Sequence, residues 1–193
     1  MAKNQIFKLG RNGKAGSQIL ALEAHLGNKG FDDKSDPLEL SPLERFVLRL
    51  NTKAGGKSSS IYVNIPAMDV AYIADNTKLA KRKASKEPYT VYDSQMKHMR
   101  VTDDKGNNKV YQIVVTADYS RRYPFIVRIE NAFAPLAKAA SGQTTIEISK
   151  KVNSEVNSLY LTEKEWFNLA SYMETIYNNY ISMTFKERFE ATK

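Results

Sequence analysis

Apolar positions recur at two spacings along the chain, and the change from one spacing to the other marks its elements. In the stretch 157–181, NSLYLTEKEWFNLASYMETIYNNYI, Leu159-Tyr160-Leu161 forms a short apolar strand that runs directly into a helix. Thr162 and Glu165 have capping-box spacing, the hydroxyl accepting from an early helical N–H and the carboxylate reaching back. Trp166, Leu169, Ala170, Met173, Ile176, Tyr177 and Tyr180 then recur at three- and four-residue steps, which is one face of a helix. The stretch 60–77, SIYVNIPAMDVAYIADNT, carries the same unit, with Asn64 standing as the cap and Pro66 in the first turn, where a missing N–H costs little. With a one-residue slip, Val70, Ala71, Ile73 and Ala74 fall opposite Leu169, Ala170, Tyr172 and Met173. Few of these are identities, and strand–cap–helix units are common. The similar run of strands before each copy is what supports a repeat.

In chain order, Gln5 to Leu9 reads as a strand and Gly10 to Gly16 as a glycine-broken basic turn. That turn lacks the GKS/T ending of a nucleotide-binding P-loop. Ser17 to Leu26 has helical propensity, yet Ile19 and the flanking glycines allow a strand, and the repeat favours the strand. Residues 27–42 form a polar loop with Pro37 and Pro42. From Glu44 to Leu50 the chain alternates, with Phe46, Leu48 and Leu50 on one face and Arg45, Val47 and Arg49 on the other. Ala54-Gly55-Gly56-Lys57 turns the chain into the first strand–helix unit, and Lys81 to Lys86 is a basic linker. The second half offers strands over Tyr89–Thr102, Lys109–Ala117, Phe125–Asn131 and Thr144–Val152, the last with Ile146 and Ile148 inward. Asp103 to Asn108 is a turn and Tyr119 to Tyr123 a basic-aromatic bend. The expectation is an α+β chain of two tandem four-stranded antiparallel sheets, each followed by a helix (about residues 66–80 and 163–181). Its 193 residues form one domain of two pseudo-repeats, at about 1–84 and 88–185, with a short C-terminal tail.

Composition adds a class and a compartment. A hydrophobic fraction of 42% is that of a globular chain. The absence of cysteine excludes disulfides and thiolate metal sites and permits a reducing compartment. The opening Met1-Ala2-Lys3-Asn4-Gln5 carries no apolar leader and no run has membrane-spanning length, so the expectation is a soluble, cytoplasmic protein with no membrane partner. Charge changes the picture further. Of the net +8, residues 1–100 carry 17 Lys/Arg against 10 Asp/Glu, whereas 101–193 carry 12 against 11. Basic charge thus sits in the strand-rich parts, where it is either ordinary solvated surface or a polyanion-binding sheet.

Two tandem strand–strand–strand–strand–helix units in a basic, cysteine-free chain of this size resemble the Whirly proteins of plants and the related guide-RNA-binding proteins of kinetoplastid mitochondria. Gly13-Lys14-Ala15 before Ser17–Leu22 is similar to that family's lysine-glycine-lysine-alanine strand signature, with Arg11-Asn12 in place of the first lysine. Arg45-Phe46-Val47-Leu48 resembles its following strand, residues 62–73 its first helix, and 157–181 its last strand and helix. The likeness spans nearly the whole chain and is topological more than literal. A phage or plasmid single-stranded-DNA-binding protein of this fold also fits the Lys- and Asn-rich composition. The resemblance implies binding of single strands with little sequence preference across exposed sheets, by a tetramer whose helices meet at its centre.

Single-strand binding needs cations for phosphates and aromatic faces for bases. Lys8, Arg11, Lys14, Arg45, Arg49, Lys109, Tyr111, Arg121, Arg122, Tyr123, Arg128 and Lys150 offer those groups. Each alone is more often structural, and alternation leaves Tyr111 equally suited to the core. Trp166, Leu169, Met173, Ile176, Tyr177 and Tyr180 are the candidate oligomerisation residues, because the helix carries more apolar surface than one sheet covers. His25 and His98 have no metal-ligand spacing, Asp103-Asp104 reads as a turn, and no nucleophile context is present, so neither an enzyme, a metal nor a cofactor is expected. Three classes stay open: a single-stranded DNA binder for replication, recombination or DNA transfer, an RNA-binding or annealing protein of the same fold, and an oligomeric adaptor or structural protein.

Overall fold

The computed structural model describes residues 5–13, 16–26, 45–138, 142 and 144–190. The first sheet is an antiparallel meander of β1 (Gln5–Gly13), β2 (Gly16–His25), β3 (Arg45–Ala54) and β4 (Lys57–Pro66), in that spatial order. A 3-10 turn (Ala67–Asp69) leads into α1 (Val70–Lys83). The second half runs through β5 (Tyr89–Asp93), β6 (Lys97–Thr102), β7 (Asn108–Ala117) and β8 (Phe125–Ala134). A two-stranded ribbon of β9 (Leu136–Lys138) and β10 (Thr144–Ile146) follows, and then β11 (Val152–Leu161) and α2 (Glu163–Glu190). The second sheet has the order β11-β8-β7, with β5 and β6 sharing the other edge of β7. Among the described residues the chain is α+β with antiparallel sheets and two α-helices, and the second sheet holds β5, β6, β7, β8 and β11 rather than the four strands expected. Among the described residues, no helix is long and apolar enough to cross a membrane.

Alternation in β3 sets the inner face of the first sheet. Phe46, Leu48 and Leu50 are no more than 1% exposed and pair with Ile65, Val63 and Ile61 of β4 and with Ala24, Leu22 and Leu20 of β2. These side chains share one core with Ile113 and Val115 of β7, Phe125, Val127 and Ile129 of β8, and the apolar stripe of α2. Trp166 sits at the junction. Its ring stacks on Phe125 with centroids 5.8 Å apart, and its indole N–H donates to Thr77 Oγ1 of α1 at 2.9 Å.

The capping box forms as expected, with Glu165 N–H donating to Thr162 Oγ1 at 3.3 Å and Thr162 N–H donating to Glu165 Oε2 at 2.8 Å. Other expectations need correction. Asn64 lies inside β4 and caps nothing; Asp69 precedes α1 and makes no side-chain cap. Lys81, Arg82 and Lys83 are the last turn of α1 rather than a linker, a favourable place for cations against the helix dipole. The strand expected over Tyr89–Thr102 is broken between Asp93 and Lys97, because Gln95 takes φ +55° and the Ser94 side chain enters the ladder. Ser94 N–H donates to the Ile113 carbonyl at 3.0 Å, and Ile113 N–H donates to Ser94 Oγ at 3.1 Å. The segment expected as one strand over Thr144–Val152 is the short β10 and a 3-10 turn (Ile148–Lys150), so Ile148 is exposed rather than inward. β11 starts at Val152, well before Leu159, and α2 runs on to Glu190. The polar loop 27–42 lies outside the described residues.

The oligomerisation stripe is also corrected in part. Trp166, Leu169 and Met173 are at most 1% exposed within a single chain, and Ile176 and Tyr177 lean on the same core. Two sheets and α1 use up the stripe that one sheet could not. Tyr180 is half-buried. Among the described residues, the apolar side chains left exposed on the helical layer are Met68, Tyr72, Leu79 and Tyr172.

Candidate nucleic-acid interface

The outer face of the first sheet is built by the residues that alternate with its core positions. Register places Lys8, Ala21, Arg49 and Tyr62 side by side across β1, β2, β3 and β4. Neighbouring strands lie about 4.8 Å apart, so Lys8 and Arg49 stand roughly 10 Å apart in that row. The second sheet completes it. Lys109, at the start of β7, holds its ammonium 4.9 Å from the centre of the Tyr62 ring, while the Arg49 guanidinium lies 5.6 Å from the same centre. Both cations are within the range in which a ring quadrupole attracts positive charge. Tyr62 is thus an aromatic ring approached by two cations from different sheets.

Next to it, the Asn64 side chain donates to the Tyr111 hydroxyl and Arg45 stands close by. Burial pushes the Tyr111 hydroxyl above its usual pKa, and Asn64 and Arg45 pull against that. Tyr111 is 2% exposed and packs in the core with Ile113 and Val115. It therefore offers no face for a base, and its candidacy as a stacking residue is withdrawn: it shares its parity on β7 with core residues. Lys97 of β6 is the register partner of Tyr111. Burial lowers its pKa, opposed by Asp69.

One acid enters this face. Glu23 is 7% exposed and lies 3.6 Å from Arg49 Nε and 3.4 Å from His25 Nε2. A phosphate approaching Arg49 competes with that carboxylate. Glu23→Gln is therefore expected to strengthen binding of a single-stranded oligonucleotide by a few-fold, measured by fluorescence anisotropy; unchanged or weaker binding would remove Arg49 from the contact surface.

The remaining candidates form other groups. Arg11 pairs with Glu165 at the α2 capping box and lies 4.9 Å from the centre of the Tyr123 ring, with Arg122 5.5 Å from it. This second tyrosine near two cations has one of them committed to a carboxylate. Arg121 donates to Asp118 at 2.6 Å, closing the β7–β8 loop, and senses Tyr160. Arg128 donates to Glu130 at 3.0 Å on the outer face of the second sheet. Burial pushes Glu130 up, but Lys151, Ser154 and Arg128 outweigh it and hold the carboxyl below its ordinary value. Lys150 pairs with Glu147 at 3.0 Å on an exposed turn. Lys14 lies outside the described residues.

Two residues escaped the sequence reading. Tyr62 falls in the strand expected before Asn64, but its pairing opposite Arg49 depends on the β3–β4 register. Tyr160 is 45% exposed on β11, in register with Ile126, and only its position between Leu159 and Leu161 hinted at an outward face. Among the described residues no group of His, Asp or Glu is arranged to hold a metal ion. No family model, curated protein or solved structure matches this chain.

Proposed function

We propose that the protein binds single-stranded nucleic acid, foremost single-stranded DNA, along the outer face of its first sheet, with little sequence preference. The observation that carries this reading is the Tyr62 ring with Arg49 and Lys109 both close to it, and Lys8 in the same row as Arg49. A ring with cations close to it suits a base stacked on its face and phosphates beside it. Side chains of this kind meet any base through its π-face, so sequence preference is weak. Roles in replication, recombination or DNA transfer suit such an activity. RNA of the same single-stranded form meets the same groups.

The fold supports the Whirly-like reading as a proposal. With β5 and β6 taken as one interrupted strand along β7, and the β9–β10 ribbon read as an insertion between β8 and β11, each half has four sheet positions and then a helix. Self-association is proposed through Met68, Tyr72, Leu79 and Tyr172, which remain exposed on the helical layer. Light scattering at micromolar concentration is expected to show more than one chain per particle, and Tyr72→Glu to dissociate it with little change in melting temperature. Met173→Glu is expected to unfold the chain instead, because that side chain is fully buried. A monomeric wild type would end the oligomer reading.

Electrophoretic mobility with single-stranded DNA, duplex DNA and RNA at two salt concentrations tests the function. Single strands are expected to shift most, with log K falling linearly in log salt at about 0.7 per neutralised phosphate. Absence of any shift would favour an adaptor whose basic charge serves solubility.

A further inference from the structure

The outer face of the first sheet does not stop at Tyr62. Moving along β3 and β4 toward their hairpin, the next row is Ile19, Asn51 and Ser60, and the one after it Ser17, Lys53 and Ser58. Rows on one face are two residues apart, so they repeat every ~6.7 Å, and Ser58 lies roughly 13 Å from Tyr62 along the strand. A groove opens over these two rows, lined by Ser17, Ile19, Asn51, Lys53, Ser58 and Ser60 together with the neighbouring Thr52 and Ser59. Its lining holds hydroxyls, an amide, a cation and Ile19, with no aromatic ring, and one of the hydroxyls, Ser59, donates to Glu155. The Tyr62 row differs in offering an aromatic face. The hairpin beyond is closed by Gly55 and Gly56 at φ +55° and +77°, the left-handed pair that a two-residue turn between antiparallel strands requires. Nothing lies within 4 Å of where a side chain would start on either glycine, so the end of the lane is open.

We propose that this groove is a phosphodiester subsite, contiguous with the Tyr62 stack, so that a bound strand runs along β3 and β4 toward the Gly55-Gly56 turn. The inference rests on the function proposed above and adds to it the direction of the strand and the chemistry read at each end. A serine hydroxyl donates one hydrogen bond to a phosphate oxygen, and Lys53 neutralises charge. Neither group offers a surface on which a base stacks. The ligand is therefore a polymer that places its backbone in the groove while a base lies on Tyr62; a mononucleotide reaches only one of the two.

The test uses the full chain and titrates labelled thymidine and uridine mononucleotides, which reach one site only, and homo-oligomers of roughly sixteen nucleotides, within the range of single-strand site sizes. The triple variant Lys53→Ala, Ser58→Ala, Ser60→Ala is expected to bind the oligomers roughly tenfold more weakly. Binding of the mononucleotides should be unchanged, since they fill the Tyr62 row first. All three positions are solvent-facing, so melting curves should overlay those of the wild type. Equal affinity of variant and wild type for the oligomers, or equal loss for both lengths, overturns the lane. A length step with only one of the two sugars overturns the phosphate assignment and puts the contact on the sugar. Failure of the wild type to bind either length defeats the proposed function itself. Loss on Tyr62→Ala with no effect of the triple variant defeats only the subsite.

Discussion

Tyr62→Ala is expected to weaken binding of a single-stranded oligonucleotide by about 1–3 kcal/mol and to leave the slope of log K against log salt nearly unchanged. Stacking on a ring releases few counterions, so affinity falls at every salt concentration alike. Arg49→Ala with Lys109→Ala should act the other way. Loss of two phosphate contacts lowers the slope by about 1.4, and the deficit is then largest in dilute salt. The two variants share a single ring, since both cations lie over Tyr62. Their effects are therefore expected to add incompletely when combined, by the coupling that neighbouring groups show. Arg49→Ala also removes a cation from the buried Glu23, which keeps His25 at 3.4 Å, so its melting curve belongs next to its affinity. A Tyr62→Ala protein that binds as well as wild type would remove the outer face of the first sheet as the stacking surface. The cation–tyrosine group at Tyr123 would then take its place.

Trp166→Ala is expected to cost about 3–5 kcal/mol of stability, the range for truncating a large buried aromatic side chain. The side chain is 1% exposed, stacks on Phe125, and joins α2 to α1 through the Thr77 hydroxyl. Its removal leaves a cavity where α1, α2 and the second sheet meet, and it orphans a buried hydroxyl. For a chain of this size each kcal/mol moves the melting temperature by about 2–4 °C, so a fall on the order of 10 °C is expected by thermal denaturation. Trp166→Phe keeps the stack and loses the hydrogen bond, and should recover most of the difference. Tyr111→Ala belongs to the same class: a large loss of melting temperature, with affinity preserved in the protein that stays folded. A fall of only a degree or two for Trp166→Ala would mean that the helices do not pack on the sheets through this side chain.

What the sequence by itself determined is what interactions between near neighbours can encode. The faces of β3 follow from a period of two, and Arg45 and Arg49 were legible as outward because each sits one residue from a core position. Thr162 and Glu165 were legible as a cap because they are three residues apart, within reach of each other in any helix start. The tight hairpin at Gly55-Gly56 was marked by residues that adopt positive φ without strain. Ser94 was not legible as a strand break, because the hydroxyl that replaces a ladder carbonyl acts on Ile113 of another strand.

Tertiary structure alone decided which groups meet. Periodicity groups Tyr111 with Ile113 and Val115 but does not say which face of β7 is covered; the crossing of the two sheets buries it against Asn64. The α2 stripe looked too wide for one sheet, and its use by two sheets and α1 together took Trp166, Leu169 and Met173 away from any partner chain. Lys109 lies over Tyr62 only because the start of β7 crosses the edge of β4. Burial and charge pairing between distant segments are properties of the assembled chain. Local pattern names the candidates, and packing decides which of them share a surface.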